Sequence, residues 1–536
     1  MNERFAGGPK ARTWPRVGLS DALGLLVSLG LAAVSFTYPY GRDQASFAYI
    51  AREWGMGNVP YKAAFEIKPP SIYLTYLVAF RIFGDTPWAI RVFDYLFALV
   101  PAGIACAYAA TPADRPVPRG RIGLSLAIVS LVYYLPFDFW NTAQCESFTS
   151  ALSVIAAAAA LRSRDARVSG FVVGLASALA VLFKPTVGIV AAGNVAVLAL
   201  AMRARHAPLS DYLRAAVTLT VGVALPIAAI FGYFAKVDGL GAMHEALVVT
   251  IRHYLTAGKY VHGTTQTLRA LVFGVLGWQA LLVLAANVLL FRGVPVLLRA
   301  RPERGLPFVA AGIGLVTSIT SVVVQLKFFN YHWLSAVGFV ALTLLVGIVD
   351  LQHVRVRRAR GEWLVASLAI SLLLASGKQS ARLFYTAKTA LYAARHGDDE
   401  PLARSFGLEG FYSYWDSRET ALWVKERAAP GDTRVVRGFE PQIYMLCDMR
   451  YGGRFFETPW LTEERFSPRT KENTAEDWAY FRKSPPRWVV AFTHLESGVE
   501  AAKSYVGIGY VPRARVSVFT ILERGENLRL PEEVPW

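Results

Sequence analysis

From Gly41 to Ser71 the chain reads GRDQASFAYIAREWGMGNVPYKAAFEIKPPS, and two of its residues have types and settings suited to group transfer. If Asp43 to Trp54 is helical, Phe47, Ile50, Ala51 and Trp54 continue its stripe, so the carboxylate lies on the face that packs against other helices or lipid. A carboxylate there can act as a general base toward an acceptor hydroxyl, or it can simply N-cap its helix. Lys68 stands directly before Pro69 and Pro70, which stiffen the backbone and open a helix where a missing N–H costs nothing. A cation beside exposed N–H donors suits a phosphate. A lysine snorkelling to lipid headgroups would look the same.

Other charged residues share this setting at the ends of apolar runs. Arg42 and Glu66 lie in the same stretch, Glu146 in NTAQCESF, Lys184 in LFKPTVG, and Lys327, Tyr331 and His332 in QLKFFNYHW. Charge at membrane depth needs a pairing, packing or functional account. Lys184 has no acidic neighbour in sequence, so a phosphate or a distant carboxylate is its expected partner. Glu146 could cap its helix, and Lys327 with its aromatics could hold a sugar or phosphate or belong to an aromatic belt. Arg252, His253 and Lys259, in the segment running from Lys236 to Gly263, are weaker candidates for shaping an acceptor site. No second His or carboxylate stands at helical spacing from His332, so no metal is expected. No nucleotide-binding or hydrolase motif is present. Outward-facing chemistry would need an activated donor that arrives through the lipid, with no cofactor.

The elements that must position these residues are membrane helices. With 54% hydrophobic and 18% charged residues over 536 positions, the chain is too apolar for an ordinary soluble protein. Its formal charge of +17 does not signal nucleic acid. The basic residues gather in every second loop, near 10–16, 115–121, 162–167, 203–214, 292–304 and 355–360, which is the positive-inside pattern. The expected fold is therefore polytopic α-helical, with about eleven spans of roughly 20 residues. Their centres lie near Leu29, Leu99, Ile128, Ile155, Leu175, Val195, Leu225, Leu281, Leu315, Leu342 and Leu368. Ser71 to Phe83 is too short to span and reads as a juxtamembrane or re-entrant helix.

The first apolar run lacks a small-residue cleavage site and reads as a retained span with a cytoplasmic N-terminus. Residues 1–18 form the cytoplasmic tail, 19–376 the membrane domain with an external loop at 38–86, and 377–536 a small outer α/β domain. In that last part, DTRVVRGFEPQIYML, PPRWVVAFTH and RARVSVFTILE offer β-rich runs, and SRETALWVKERA has helical spacing. The three cysteines, Cys106, Cys145 and Cys447, stand far apart and signal neither disulfides nor zinc.

In this order, Asp43, Lys68-Pro69-Pro70, FGDTPWAIRVFDYLF, TAQCESF and LFKPTVG resemble the motifs of the C-type membrane glycosyltransferases. That superfamily holds the bacterial lipid A aminoarabinose transferases and the protein O-mannosyltransferases. The C-terminal TRVVRGFEPQIYMLCDMRYGGRF is similar to a soluble domain appended to such bacterial enzymes. The resemblance covers most of the chain through short motifs, so its specificity lies in their order. It implies a polyprenyl-phosphate sugar donor, undecaprenyl phosphate in a bacterium, and a hydroxyl acceptor in the cell envelope outside the inner membrane. By it, Asp43 would be the base, with Glu146 assisting in positioning. Lys68 and Lys184, with Arg42, would hold the departing phosphate, and direct displacement would invert the anomeric carbon. One departure counts: the O-mannosyltransferases carry an acidic pair where Asp43 is followed by Gln44. This argues against a protein acceptor and a metal, and for the branch that modifies lipid, including lipopolysaccharide, or glycan.

Two other readings compete. A multispan transporter or lipid flippase would also carry a few charges, though near the midplane of broken helices and often in repeated halves; here they gather at one border and no repeat is seen. A non-enzymatic assembly or receptor protein using its C-terminal domain would leave Asp43 and Lys68 unexplained.

Overall fold

The computed structural model describes residues 18–257, 263–273, 285–293, 302–353, 381–408, 412–494 and 496–534. They are mostly helical. The helices used below are α1 (Leu19–Ser35), α2 (Arg42–Gly55), α3 (Ser71–Phe83), α4 (Pro87–Ala109), α5 (Arg121–Tyr134), α6 (Cys145–Arg162), α7 (Ala166–Phe183), α8 (Pro185–Ala204), α9 (Leu209–Lys236), α10 (Gly305–Val323) and α11 (Asn330–Asp350).

Six of these, α4, α7, α8, α9, α10 and α11, are long and apolar enough to cross a membrane. Eleven spans were expected, and the other five centres divide into two groups. The runs centred on Leu29 and Ile128 form helices of 17 and 14 residues, shorter than these six. Around Ile155, α6 carries Glu146, Ser147, Thr149, Ser150 and Ser153 in its first half, which lowers its hydropathy. The centres at Leu281 and Leu368 lie outside the described residues.

Small residues let the helices approach closely. Gly170 and Gly174 of α7 form a GxxxG pair, and a Cβ at Gly174 would lie 2.2 Å from the Leu219 carbonyl of α9. Gly222 of α9 meets the Phe171 carbonyl at 2.4 Å in the same sense. In a lipid solvent, where apolar burial gives little drive, such backbone contact is a main source of association. Away from this seam α9 exposes Leu209, Leu213, Val217, Val221 and Leu225, as a helix facing hydrocarbon should.

The turn between α3 and α4 follows the sequence closely. Helix α3 has 13 residues and ends at Gly84, whose φ of 90° lies in the region glycine adopts without strain. Pro87 then opens α4 at its first turn.

Beyond a helix at 381–396, the C-terminal residues form α12 (Tyr414–Lys425), α13 (Gln442–Leu446), α14 (Pro459–Thr462), α15 (Thr470–Lys483) and α16 (Glu496–Gly507) around a four-stranded sheet. Its strands are β1 (Arg434–Arg437), β2 (Trp488–Phe492), β3 (Tyr510–Val516) and β4 (Phe519–Arg524), in spatial order β1-β2-β4-β3. β1 pairs with β2 in parallel and the other pairs are antiparallel. Val435, Val436, Val489, Val490, Ile521 and Leu522 are buried, which explains the near-continuous apolar runs of β1 and β2.

The stretch from β1 to α15 docks on α2 and the loop after it. Tyr49 packs on Tyr444 and Phe456 with ring centres 5.0 and 4.4 Å apart. Glu53 pairs with Arg450 at 2.8 Å, and the Phe65 N–H donates to the Arg454 carbonyl at 2.8 Å. Arg454 in turn reaches Glu245 at 2.8 Å.

Candidate active site

Helix α2 starts at Gly41, whose extended backbone is the N-cap, so Asp43 sits inside the first turn and is not the cap. Its half-buried carboxylate makes no hydrogen bond or ion pair with the described residues. The capping explanation for Asp43 therefore falls away.

Lys68 is fixed by its backbone and left open at its tip. The Tyr61 and Tyr73 hydroxyls donate to its carbonyl at 2.7 and 3.1 Å, and its own N–H donates to Glu66 at 2.7 Å. Its ammonium lies 5.8 Å from the Phe47 ring centre and makes no ion pair with the described residues. Burial disfavours that charge, but Glu66 and Asp43 outweigh the penalty and hold the lysine above its ordinary range, so it stays cationic. Asp43 and Lys68, 25 positions apart in sequence, thus share one electrostatic neighbourhood.

Three other segments reach the same place. Glu146, in the first turn of α6, is buried and forms an ion pair with Lys184, which stands between α7 and α8. The partner of Lys184 is thus a distant carboxylate. His332 approaches Glu146 with Nε2 at 3.9 Å, while its buried Nδ1 has no hydrogen-bond partner. Tyr331 feels the charges of both Asp43 and Glu146. Lys327 lies between Leu326 and Phe328, which both adopt positive φ, near 50°, a tight loop that re-aims the chain. Its ammonium sits 3.1 Å from the centre of the Tyr254 ring. Burial, with the nearby Lys68, Arg465 and Lys184, lowers its pKa to about 7.

The structure therefore brings Asp43, Lys68, Glu146, Lys184, Lys327, Tyr331 and His332 into one cluster. Arg42 is turned elsewhere. It pairs with Glu440 at 2.8 Å, both side chains buried, and packs 4.8 Å from the Phe439 ring centre beside Trp140 and Tyr412. Arg252 is exposed, His253 contacts the Glu464 carbonyl at 2.6 Å, and Lys259 lies outside the described residues.

Several residues of the site were not readable from sequence. Glu457 hydrogen-bonds Ser46 of α2 and accepts from Trp460 Nε1 at 3.0 Å. Tyr254 and Arg465 flank Lys327. Their contacts with Ser46 and Lys327 join positions tens to hundreds of residues apart, and no motif marks them. Chemically, the site offers cations for a phosphate and, near them, a carboxylate with no hydrogen-bond or ion-pair partner among the described residues.

No protein-family model and no curated relative matches the chain. Solved structures do match its fold, among them two of ArnT. ArnT from Cupriavidus metallidurans bound to undecaprenyl phosphate aligns at a TM-score of 0.58 and 15% identity, covering 95% of this chain and 99% of that one. ArnT from the same organism in the apo state aligns at 0.57 and 16%, covering 95% and 98%. The chain thus has the fold of these ArnT structures along almost its whole length. The resemblance to C-type membrane glycosyltransferases holds at the level of the fold.

Proposed function

We propose that the protein is a membrane glycosyltransferase that moves a sugar from a polyprenyl-phosphate donor to a hydroxyl of a cell-envelope lipid or glycan. The observation that carries this reading is the nearness of Asp43 to Lys68. One is a carboxylate and the other an ammonium, both half-buried, neither in an ion pair with the described residues, set in one neighbourhood by α2 and the loop before α3. A structural ion pair would close on itself; these two groups leave room for a third.

In the proposed reaction the acceptor oxygen attacks the anomeric carbon and the bond from that carbon to the phosphate oxygen breaks. The acceptor proton passes to Asp43, and Lys68 stabilises the negative charge gathering on the departing phosphate. Lys184 adds positive charge from its pair with Glu146, and Lys327, Tyr331 and His332 line the sugar or acceptor side. Attack opposite the leaving group inverts the anomeric centre. Arg42 serves this scheme by docking α2 to the C-terminal residues through Glu440.

The fold shared with ArnT, one structure of which holds undecaprenyl phosphate, supports that donor class. The alternation of basic loops supports a bacterial inner-membrane protein with its N-terminus inside and with the site and C-terminal residues on the periplasmic side. The test is transfer of labelled sugar from polyprenyl-phosphate donors into envelope lipids and glycans by membranes holding the protein. Product in both the absence and presence of chelator supports this scheme. Failure with every such donor would return the transporter reading to the front.

A further inference from the structure

The C-terminal residues place one acid, Glu457, where the membrane part already has two. Glu457 is 1% exposed, and the charged groups that act on it most strongly are Glu66 from the loop before α3 and Asp43 from α2, both negative, with the Lys68 ammonium in the same neighbourhood as those two acids. Its polar contacts are Ser46 of α2 and Trp460 of α14.

The hydrogen-bond inventory of this group decides its protonation. Ser46 has one hydroxyl proton and two acceptors within reach, the Arg42 carbonyl at 3.2 Å and Glu457 Oε1. If Glu457 were ionised, one of those contacts would lack a proton and a buried negative charge would face two others. If Glu457 carries a proton, every contact is filled. Glu457 donates to Ser46, Ser46 donates to Arg42, and Trp460 donates to the other Glu457 oxygen.

We infer that Glu457 is a neutral carboxylic acid at physiological pH and is a positioning residue, holding the Asp43 turn of α2 against the C-terminal segment. Burial, and then Glu66, raise its pKa to about 8, in agreement with the hydrogen-bond inventory. Ser46 stands three residues after Asp43, so the two lie on adjacent turns of one helix face. Trp460 also packs on Phe65, ring centres 5.4 Å apart, which ties the same acid to the loop bearing Lys68. Ionisation would set a third negative charge against Asp43 and Glu66 and remove the proton that fills the Ser46 contact.

This rests on the transferase reading for its functional consequence and not for its structural one, so two measurements are needed. Infrared spectra of the purified protein at neutral pH should show the C=O band of a protonated carboxyl that is missing in Glu457→Gln; identical spectra would overturn the assignment whatever the protein catalyses. Transfer by the wild type should fall about tenfold per pH unit above pH 8. Glu457→Gln should keep neutral-pH transfer within severalfold and lose that alkaline fall, whereas Glu457→Leu should lose transfer although it folds. Lys327 titrates in both the wild type and Glu457→Gln, so comparing them isolates Glu457. An unchanged alkaline limb in Glu457→Gln, or a folded but inactive Glu457→Gln, would contradict the inference. Wild-type protein inactive at every pH would instead count against the transferase reading, with the infrared result still deciding the state of Glu457.

Discussion

Asp43 and Glu146 are both acids close to a lysine, yet they answer to different physics. Glu146 is buried in a pair with Lys184, whereas the Asp43 carboxylate makes no hydrogen bond or ion pair with the described residues. Removing Lys184 as Lys184→Met should therefore destabilise the protein by roughly 3 kcal/mol, since an uncompensated charge stays behind. The double variant Lys184→Met with Glu146→Leu should recover most of that loss in detergent melting, and no recovery would show that the pair is not coupled. Asp43→Asn should leave melting nearly unchanged. That contrast was only half legible in the sequence: residue type and position at the membrane border marked both acids, but which one was paired depended on Lys184, 38 positions away from Glu146.

Among the elements, α2 and α3 were the most readable, because their signals are local. The apolar stripe after Asp43 gives α2, and Gly84 with Pro87 fixes where α3 ends and α4 begins. Spans were harder. Length alone does not separate a membrane helix from a shorter packed one such as α5, whose 14 residues lie between Gly120 and Leu135. The seam between α7 and α9 shows what holds the bundle together. Gly174→Val would drive a side chain into the Leu219 carbonyl and should cost about 3 kcal/mol by overpacking, seen as loss of the folded fraction in detergent. A variant of equal size at Val217, which is exposed, should have little effect.

At the scale of the whole molecule, the C-terminal residues meet the site through side-chain contacts made largely by buried groups. The Arg42 to Glu440 pair, the Glu53 to Arg450 pair and the Ser46 to Glu457 contact all bridge the two parts of the chain along α2. Glu440→Ala leaves Arg42 buried and should cost roughly 3–5 kcal/mol. It should also reduce transfer through a displaced Asp43; unchanged melting and transfer would mean that the docking does not position the site. Nothing in the sequence joins residue 42 to residue 440, so this layer of the design emerges only on folding. The central claim, that Asp43 and Lys68 form a site for transferring a lipid-linked sugar, is tested most directly by labelled-sugar transfer from polyprenyl-phosphate donors into envelope fractions, comparing wild type, Asp43→Asn and Lys68→Ala at matched expression. The account predicts transfer by the wild type and losses on the order of 100-fold or more in each variant. Full activity in both variants, or no transfer by the wild type from any such donor, would contradict it.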